Sequence, residues 1–169
     1  DETRPRNQGG SLTAFELAGH GIPHEVIVDN AGGHLMQRGR IDVCIVGSDR
    51  TTAAGDVANK IGTYLKALAA FDNKIPFYSL FPSTSFDFTI NDGLTEITVE
   101  ERDAEEVTTI SGLADGKIES VRICQERIKA VNFGFDVTPA RYITGLITEK
   151  GICKPNEKDI SKMFSDNLK

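Results

Sequence analysis

The segment that follows residues 41–46 carries a high density of side chains able to bind a ligand or react. Residues 41–46 form a short apolar, strand-like run, and residues 47–52 read Gly-Ser-Asp-Arg-Thr-Thr. Residues 56–60, Asp-Val-Ala-Asn-Lys, come soon after, where the pattern predicts that a helix begins. A helix N-terminus and nearby cations attract phosphate, and an adjacent carboxylate can transfer protons. The set therefore suits a phosphorylated polyol.

Each of these side chains also has an ordinary structural interpretation. Asp49 could close an Asx turn after a strand, and Asp56 could cap a helix. Arg50 and Lys60 could be solvated surface charges. Residue types and spacing alone leave the functional and the structural interpretation of this segment open.

A second polar cluster lies at residues 2–10, which read Glu-Thr-Arg-Pro-Arg-Asn-Gln-Gly-Gly and again precede a helical pattern. Gln8 could hydrogen-bond a sugar hydroxyl there, and Arg4 could support it. A plain loop in which Gly9 and Gly10 supply the turn geometry is an equally good interpretation.

Alternating strand-like and helix-like segments predict βαβ units around a mostly parallel sheet. Short β-branched runs predict strands at residues 25–28, 41–46 and 75–81. In such a sheet ligands bind beyond the carboxyl ends of the strands, which is where Asp49 is expected.

Capping residues and helix-ending glycines predict the helices between these strands. Thr13 and Glu16 have capping-box spacing, so a helix is expected over about 14–19. A second should begin after residues 29–30 and end before Gly39. A long helix capped by Asp56 is predicted from residue 57. Residues 91–128 should contain an edge strand, a helical turn and a loop. A further helix is expected within 135–151, followed by a polar tail beyond about residue 155.

Composition excludes several classes of function. The chain has 169 residues and a formal net charge of −6, so it lacks the basic surface of a nucleic-acid-binding protein. No apolar run approaches the roughly 20 residues of a membrane helix, and no apolar signal segment opens the chain. We therefore expect a cytoplasmic protein. The absence of an initiator Met predicts a fragment of a longer chain.

Metal and disulfide chemistry are not predicted. The three cysteines, Cys44, Cys124 and Cys153, are an odd number without the paired spacing of a zinc site. The three histidines are scattered along the chain. We expect no metal and no cofactor.

A long ordered series of stretches resembles the methylthioribose-1-phosphate isomerase family. The matching stretches lie at residues 2–9, 29–30, 47–50, 55–64, 75–78, 82–87, 100–108, 135–139 and 148–151. The same superfamily includes ribose-1,5-bisphosphate isomerases and the non-catalytic regulatory subunits of a translation-initiation nucleotide-exchange factor. The resemblance extends to about residue 153.

The resemblance implies a fold and a position within a longer protein. Residues 1–169 would form a Rossmann-like α/β domain, with a mostly parallel sheet flanked by helices, at the C-terminal end of a two-domain homodimer. The family's catalytic Cys and its phosphate-binding loop would lie upstream, so this chain alone would hold an incomplete site.

The resemblance also implies roles for individual residues in an aldose–ketose isomerisation of methionine salvage. The family's catalytic acid falls on Asp49, and its substrate-binding positions fall on Gln8, Asn59 and Lys60. Arg4, Arg50 and Asp56 are possible supporting residues.

Of two departures from the family pattern, the second leaves the substrate open. Ser48 stands where the family usually has Ala, and Ala54 stands where it often has Asn. The second departure removes a polar side chain near the site. The alternatives are an isomerase of 5-deoxyribose-1-phosphate or ribose-1,5-bisphosphate, and a non-catalytic regulatory subunit.

Overall fold

The computed structural model describes residues 1–166, whose contacts divide the chain into two units. Unit 1 contains Asp1–Gly32 and Glu100–Gly134, and unit 2 contains Gly33–Val99 and the chain from Phe135 onward. The helices are α1 (Ala14–Gly19), α2 (Ala31–Gln37), α3 (Thr63–Asp72), α4 (Gly93–Glu96), α5 (Glu105–Thr108) and α6 (Glu157–Asp166). The strands are β1 (Cys44–Val46), β2 (Arg50–Thr52), β3 (Val57–Lys60), β4 (Phe77–Leu80), β5 (Phe86–Asp87), β6 (Thr109–Ala114), β7 (Lys117–Arg122), β8 (Phe135–Thr138), β9 (Gly145–Thr148) and β10 (Gly151–Cys153).

Unit 2 is built on two four-stranded sheets. The first has the order β1-β4-β9-β10, in which β1, β4 and β9 run parallel and β10 is antiparallel to β9. The second has the order β5-β2-β3-β8, in which β3 is antiparallel to both of its neighbours. Helix α3 packs on β4 and β8, and α6 packs on β10. The predicted α/β class, with parallel strands flanked by helices, is confirmed.

The core of unit 2 lies between the parallel sheet and its helices. Phe77 on β4 and Leu146 on β9, the two central strands of the first sheet, are buried. Ile160 of α6 is only 1% exposed and belongs to the same cluster. The prediction of a polar tail beyond about residue 155 therefore needs correction up to residue 166, and residues 167–169 of that tail lie outside the described residues. An apolar face on this polar segment, with Ile160 and Met163 buried, makes α6 part of the core.

The predicted helix from residue 57 is wrong at its start. Val57–Lys60 is strand β3, and the helix begins only at Thr63. Apolar residues at helical spacing suggested one continuous helix, but β3 pairs on both sides, with β2 and β8. Hydrogen-bond ladders to two strands, of which β8 is distant in sequence, override a local periodicity.

The helix predicted within 135–151 is also wrong. This segment contains β8, a 3₁₀ turn at Ala140–Tyr142, β9 and the start of β10. Residues 25–28, predicted as a strand, form no ladder. Within 91–128 the structure has α4, α5 and a hairpin of β6 and β7 in place of the predicted edge strand and loop.

The two helices with clear capping or helix-ending signals are found where the sequence predicts them. Helix α1 has the predicted bounds, although Thr13 has helical backbone angles and its side chain makes no capping bond. A π-helical turn at Gly9–Thr13 leads directly into α1, so no cap is needed there. Helix α2 ends before Gly39, whose φ of 65° is the left-handed conformation expected of a helix-ending glycine.

A tight turn joins β2 to β3. Gly55 in this turn has a φ of 96°, and its backbone lies against Pro155. A Cβ atom at this position would lie 2.7 Å from the carbonyl carbon of Pro155. Both the backbone angle and the close contact require glycine.

Unit 1 is organised by two polar side chains. The carboxylate of Asp29 accepts hydrogen bonds from the backbone N–H groups of Thr3 and Arg4, both at 2.7 Å. The guanidinium of Arg4 donates to the carbonyl oxygens of Val107 at 2.9 Å and Thr109 at 3.3 Å, at the end of α5. These bonds tie residues 3–4 to segments distant in sequence.

None of the helices within residues 1–166 is long and apolar enough to cross a membrane.

The burial of α6 predicts a large effect of truncating Ile160. We expect Ile160→Ala to lower the free energy of unfolding by about 2–4 kcal/mol, because it removes a fully buried side chain and leaves a cavity. The matched control is Ile152→Ala on β10, where the side chain is 69% exposed. Denaturant unfolding measures both variants, and equal effects would contradict a core role for α6.

Candidate functional site

The loop that carries Asp49 follows the carboxyl end of β1 and is fixed from two sides. The buried Ser79 of β4 donates from its hydroxyl to the carbonyl oxygen of Gly47 at 2.9 Å. The backbone N–H of Asp49 donates to the carbonyl oxygen of Ala58 at 2.9 Å. The hydroxyls of Ser48 and Thr51 are 2.8 Å apart and share a hydrogen bond. The backbone on either side of Asp49 is therefore held in one place.

The side chain of Asp49, in contrast, makes no hydrogen bond within residues 1–166. Its carboxylate therefore does not close the Asx turn that was one interpretation of the sequence. Although the residue as a whole is exposed, nearby protein atoms desolvate the carboxyl and raise its pKa above the ordinary value of 3.8. The Lys60 ammonium opposes this increase. A carboxyl with a raised pKa and no partner is suited to proton transfer.

Asn59 and Lys60 lie at the end of β3, beside the Asp49 loop. The Asn59 amide nitrogen donates to the Thr63 hydroxyl at 3.0 Å, and a Cβ atom on Gly47 would lie 3.5 Å from its Oδ1. The Lys60 ammonium lies 4.8 Å from the centre of the Phe135 ring, in a cation–π contact. The structure therefore brings together three of the predicted site residues, Asp49, Asn59 and Lys60.

Arg50 and Asp56 also lie in unit 2, but their side chains have other partners. The Arg50 guanidinium is 3.8 Å from the Asp87 carboxylate, and its side chain is half exposed. The Asp56 carboxylate accepts the backbone N–H of Gly93 at 3.0 Å and that of Ala140 at 2.8 Å. Asp56 therefore does not cap a helix at residue 57. It connects two distant backbone segments of the unit.

Asp136 is the residue at this site that the sequence did not indicate. Its carboxylate accepts hydrogen bonds from the backbone N–H groups of Gly62 at 2.7 Å and Tyr64 at 3.0 Å, at the N-terminus of α3. Burial raises the pKa of Asp136, and the two hydrogen bonds partly oppose the increase. No local signal points to it, because Asp136 comes from β8, far from α3 in sequence.

This arrangement corrects one expectation about phosphate. The sequence predicted that the helix after residue 56 would offer free N–H groups to an anion. In the structure, the Asp136 carboxylate already takes the N–H groups of Gly62 and Tyr64. These two N–H groups are therefore not available to an anion.

Gln8 and Arg4 belong to unit 1. The side-chain oxygen of Gln8 is buried and has no hydrogen-bond partner within residues 1–166, so it is an acceptor that is still available. The guanidinium of Arg4 is engaged by backbone carbonyl oxygens around α5. Gln8 keeps the capacity to bind a ligand, whereas Arg4 acts on the local fold.

The part of the chain that the structure describes contains no group of three or more His, Cys, Asp or Glu side chains placed to hold a metal ion. Its site consists of one unpartnered acid, one ammonium and one amide on a mixed α/β scaffold. The chemistry of these side chains at the ends of strands suits a small anionic ligand.

Comparison with known proteins gives the family. The model described as the Initiation factor 2 subunit family matches residues 1–155, and the chain belongs to that family. A methylthioribose-1-phosphate isomerase of Acidiphilium cryptum is 64% identical over 167 residues, covering 98% of this chain and 46% of that protein. The chain thus spans about half the length of the curated relatives it matches.

Two solved structures show the same fold. The 5-methylthioribose 1-phosphate isomerase of Pyrococcus horikoshii OT3 has a TM-score of 0.88 at 41% identity, covering 99% of this chain and 44% of that chain. The translation initiation factor eIF-2B, subunit delta, of A. fulgidus has a TM-score of 0.85 at 37% identity, covering 97% of this chain and 45% of that chain. The chain is therefore similar both to enzymes and to initiation-factor subunits.

The raised pKa of Asp49 predicts how stability changes with pH. The folded protein binds this proton more tightly than the unfolded chain, so stability falls as pH rises from near 3.8 through the folded pKa. Asp49→Asn has no charge to desolvate. We expect its stability relative to the natural protein to increase over that pH window, by a small amount because the residue is exposed.

Thermal unfolding at several pH values measures this difference. Asp42→Asn, which removes one charge from an exposed residue, is the control for net charge. A variant at position 49 that is less stable than the natural protein at neutral pH would show that the Asp49 carboxyl is not desolvated.

Proposed function

We propose that the complete protein is an aldose–ketose isomerase of a pentose 1-phosphate. The substrate proposed first is 5-methylthioribose-1-phosphate, converted to 5-methylthioribulose-1-phosphate in methionine salvage. The observation that carries the proposal is the unpartnered, desolvated carboxyl of Asp49 beside the ammonium of Lys60. The isomerases of similar sequence support it.

The chemistry of the substrate explains why an acid is needed. Phosphate on the anomeric oxygen prevents the simple ring opening of a free sugar, so a proton must be supplied to the ring oxygen as its bond to C1 breaks. In this proposal Asp49, whose pKa is raised by desolvation, donates that proton. Its carboxylate then acts as a base: as hydrogen moves from C2 to C1, C2 becomes a carbonyl, and the proton lost from the C2 hydroxyl regenerates the Asp49 acid.

Three further residues bind the substrate in this proposal. The Lys60 ammonium attracts the phosphate, and the Asn59 amide and the Gln8 oxygen hydrogen-bond to sugar hydroxyls. Asp49, with its raised pKa, transfers protons, and the neighbouring Lys60 ammonium neutralises the charge of the phosphate. A segment outside residues 1–169 supplies the catalytic Cys and the phosphate-binding loop.

The group at C5 of the sugar sets the finer choice of substrate. A methylthio or methyl group needs an apolar pocket, whereas the 5-phosphate of ribose-1,5-bisphosphate needs a basic one. A panel of these three pentose 1-phosphates, assayed with the complete protein, decides among them. We also propose that the protein works as a homodimer in the cytoplasm.

A second candidate function is a non-catalytic regulatory subunit of a translation-initiation exchange factor. The observation in its favour is the 37% identity to the eIF-2B delta subunit, at a TM-score of 0.85. The free, desolvated Asp49 argues against it, because a scaffold gains nothing from a carboxyl that costs stability. Stable binding to exchange-factor subunits without turnover of any pentose 1-phosphate would favour this candidate.

Asp49→Asn in the complete protein should lower kcat by about 10²–10⁴-fold, the usual contribution of a general acid–base group, with a much smaller effect on KM. Asparagine has nearly the same shape but cannot donate a proton from a carboxyl. Steady-state kinetics measure both constants.

Asp42→Asn again serves as the control, since it removes a carboxylate outside the site. Turnover of the Asp49 variant within about tenfold of the natural protein, or roughly 1.4 kcal/mol, would show that Asp49 is not the essential acid.

Lys60→Met should act mainly on substrate binding. The change keeps much of the length of the side chain and removes the charge, so we expect KM to rise about 10–100-fold, the loss of one hydrogen bond to a charged group. Lys158→Met, on the exposed surface of α6, is the matched control. A KM of the Lys60 variant equal to that of the control would contradict phosphate binding by Lys60.

A further inference from the structure

The hydroxyl of Thr63 connects the two proposed substrate-binding residues of β3. It accepts a hydrogen bond from the Asn59 amide nitrogen at 3.0 Å and donates one to the Lys60 carbonyl oxygen at 2.6 Å. Thr63 is only 6% exposed, so water does not compete for these bonds. Its single proton and one of its lone pairs are both used. The Asn59 side chain and the Lys60 backbone are therefore held by one atom.

Asp136 holds the residues on either side of Thr63. Its two carboxylate oxygens take the N–H groups of Gly62 and Tyr64. Gly62 has a φ of 98°, so the chain reverses sharply between β3 and α3 at a residue that tolerates this angle. The carboxylate fixes this reversal by two charge-assisted hydrogen bonds.

The pairing of β3 with β8 determines where this carboxylate lies. Asp136 is the register partner of Asn59, and Phe135 is the partner of Lys60. One strand therefore supplies the ring under the Lys60 ammonium and the carboxylate that anchors the following turn. Capping of α3 by Asp136 does not require the hydrogen bonds of the Thr63 hydroxyl. Those bonds connect the turn to Asn59 and Lys60.

We propose that Thr63 and Asp136 are positioning residues, which hold Asn59 and Lys60 in the orientation that binds the sugar phosphate. Neither residue contacts the substrate. Thr63 orients the Asn59 amide directly, and Asp136 fixes the Lys60–Tyr64 turn from β8. This inference rests on the proposed function, since it deepens the account of the same site.

The sharpest test uses a matched pair at Thr63 in the complete protein. Thr63→Val keeps the shape and removes the hydroxyl, and Thr63→Ser keeps the hydroxyl. We expect valine to raise KM about tenfold with kcat changed by less than about threefold, because one hydrogen bond to Asn59 and one to Lys60 are lost. Serine should restore KM to within about twofold of the natural value.

A graded pair tests Asp136 in the same assay. Asn can accept one of the two N–H groups, and Ala can accept neither, so KM should increase in the order natural protein, Asp136→Asn, Asp136→Ala. Ile160→Val is the control for general loss of stability, because it weakens the core without touching this turn. Its KM should stay at the natural value.

The outcomes separate the two proposals. If the natural protein turns over the sugar phosphate while Thr63→Val and Asp136→Asn keep a normal KM, the positioning role is overturned and the proposed function stands. If the natural protein is inactive on every pentose 1-phosphate, the proposed function fails. Crystal structures then still decide the positioning role. A displaced Asn59 amide in Thr63→Val supports it, and an Asn59 unchanged in both variants overturns it.

Discussion

The structure of the site depends on the pairing of β3 with a strand on each side. On one side, β2 and the Ala58 carbonyl hold the loop of Asp49. On the other side, β8 brings Phe135 and Asp136 next to Lys60 and Asn59. An acid, a cation and an amide are thus placed by backbone ladders, which are stiffer than side-chain contacts. The whole arrangement would be lost if β3 were the first turn of a helix.

Side chains near this strand show how one kind of residue serves different purposes. Asp56 and Asp136 each use both carboxylate oxygens to bind backbone N–H groups, and so they stabilise the fold. Asp49 accepts no such hydrogen bonds, and the desolvation that raises its pKa is opposed only by the charge of Lys60. The difference in chemistry among these three carboxyls comes from their surroundings and not from their residue type.

The sequence predicted the features that are determined locally. The bounds of α1 and the glycine after α2 follow from signals within a few residues. Asp49 could be placed after a strand for the same reason. The β identity of residues 57–60 and 135–138 could not be predicted, because each segment becomes a strand by pairing with the other across a long stretch of chain. Asp136 was missed as a consequence, since its partners on α3 are known only once that pairing is known.

The turn at Gly55 limits how this site can diverge among related proteins. Its backbone angle and its contact with Pro155 exclude any larger residue. The neighbouring residue, Ala54, has no left-handed backbone angle. Relatives can therefore differ in the side chain at position 54 while glycine at position 55 keeps the turn in one conformation.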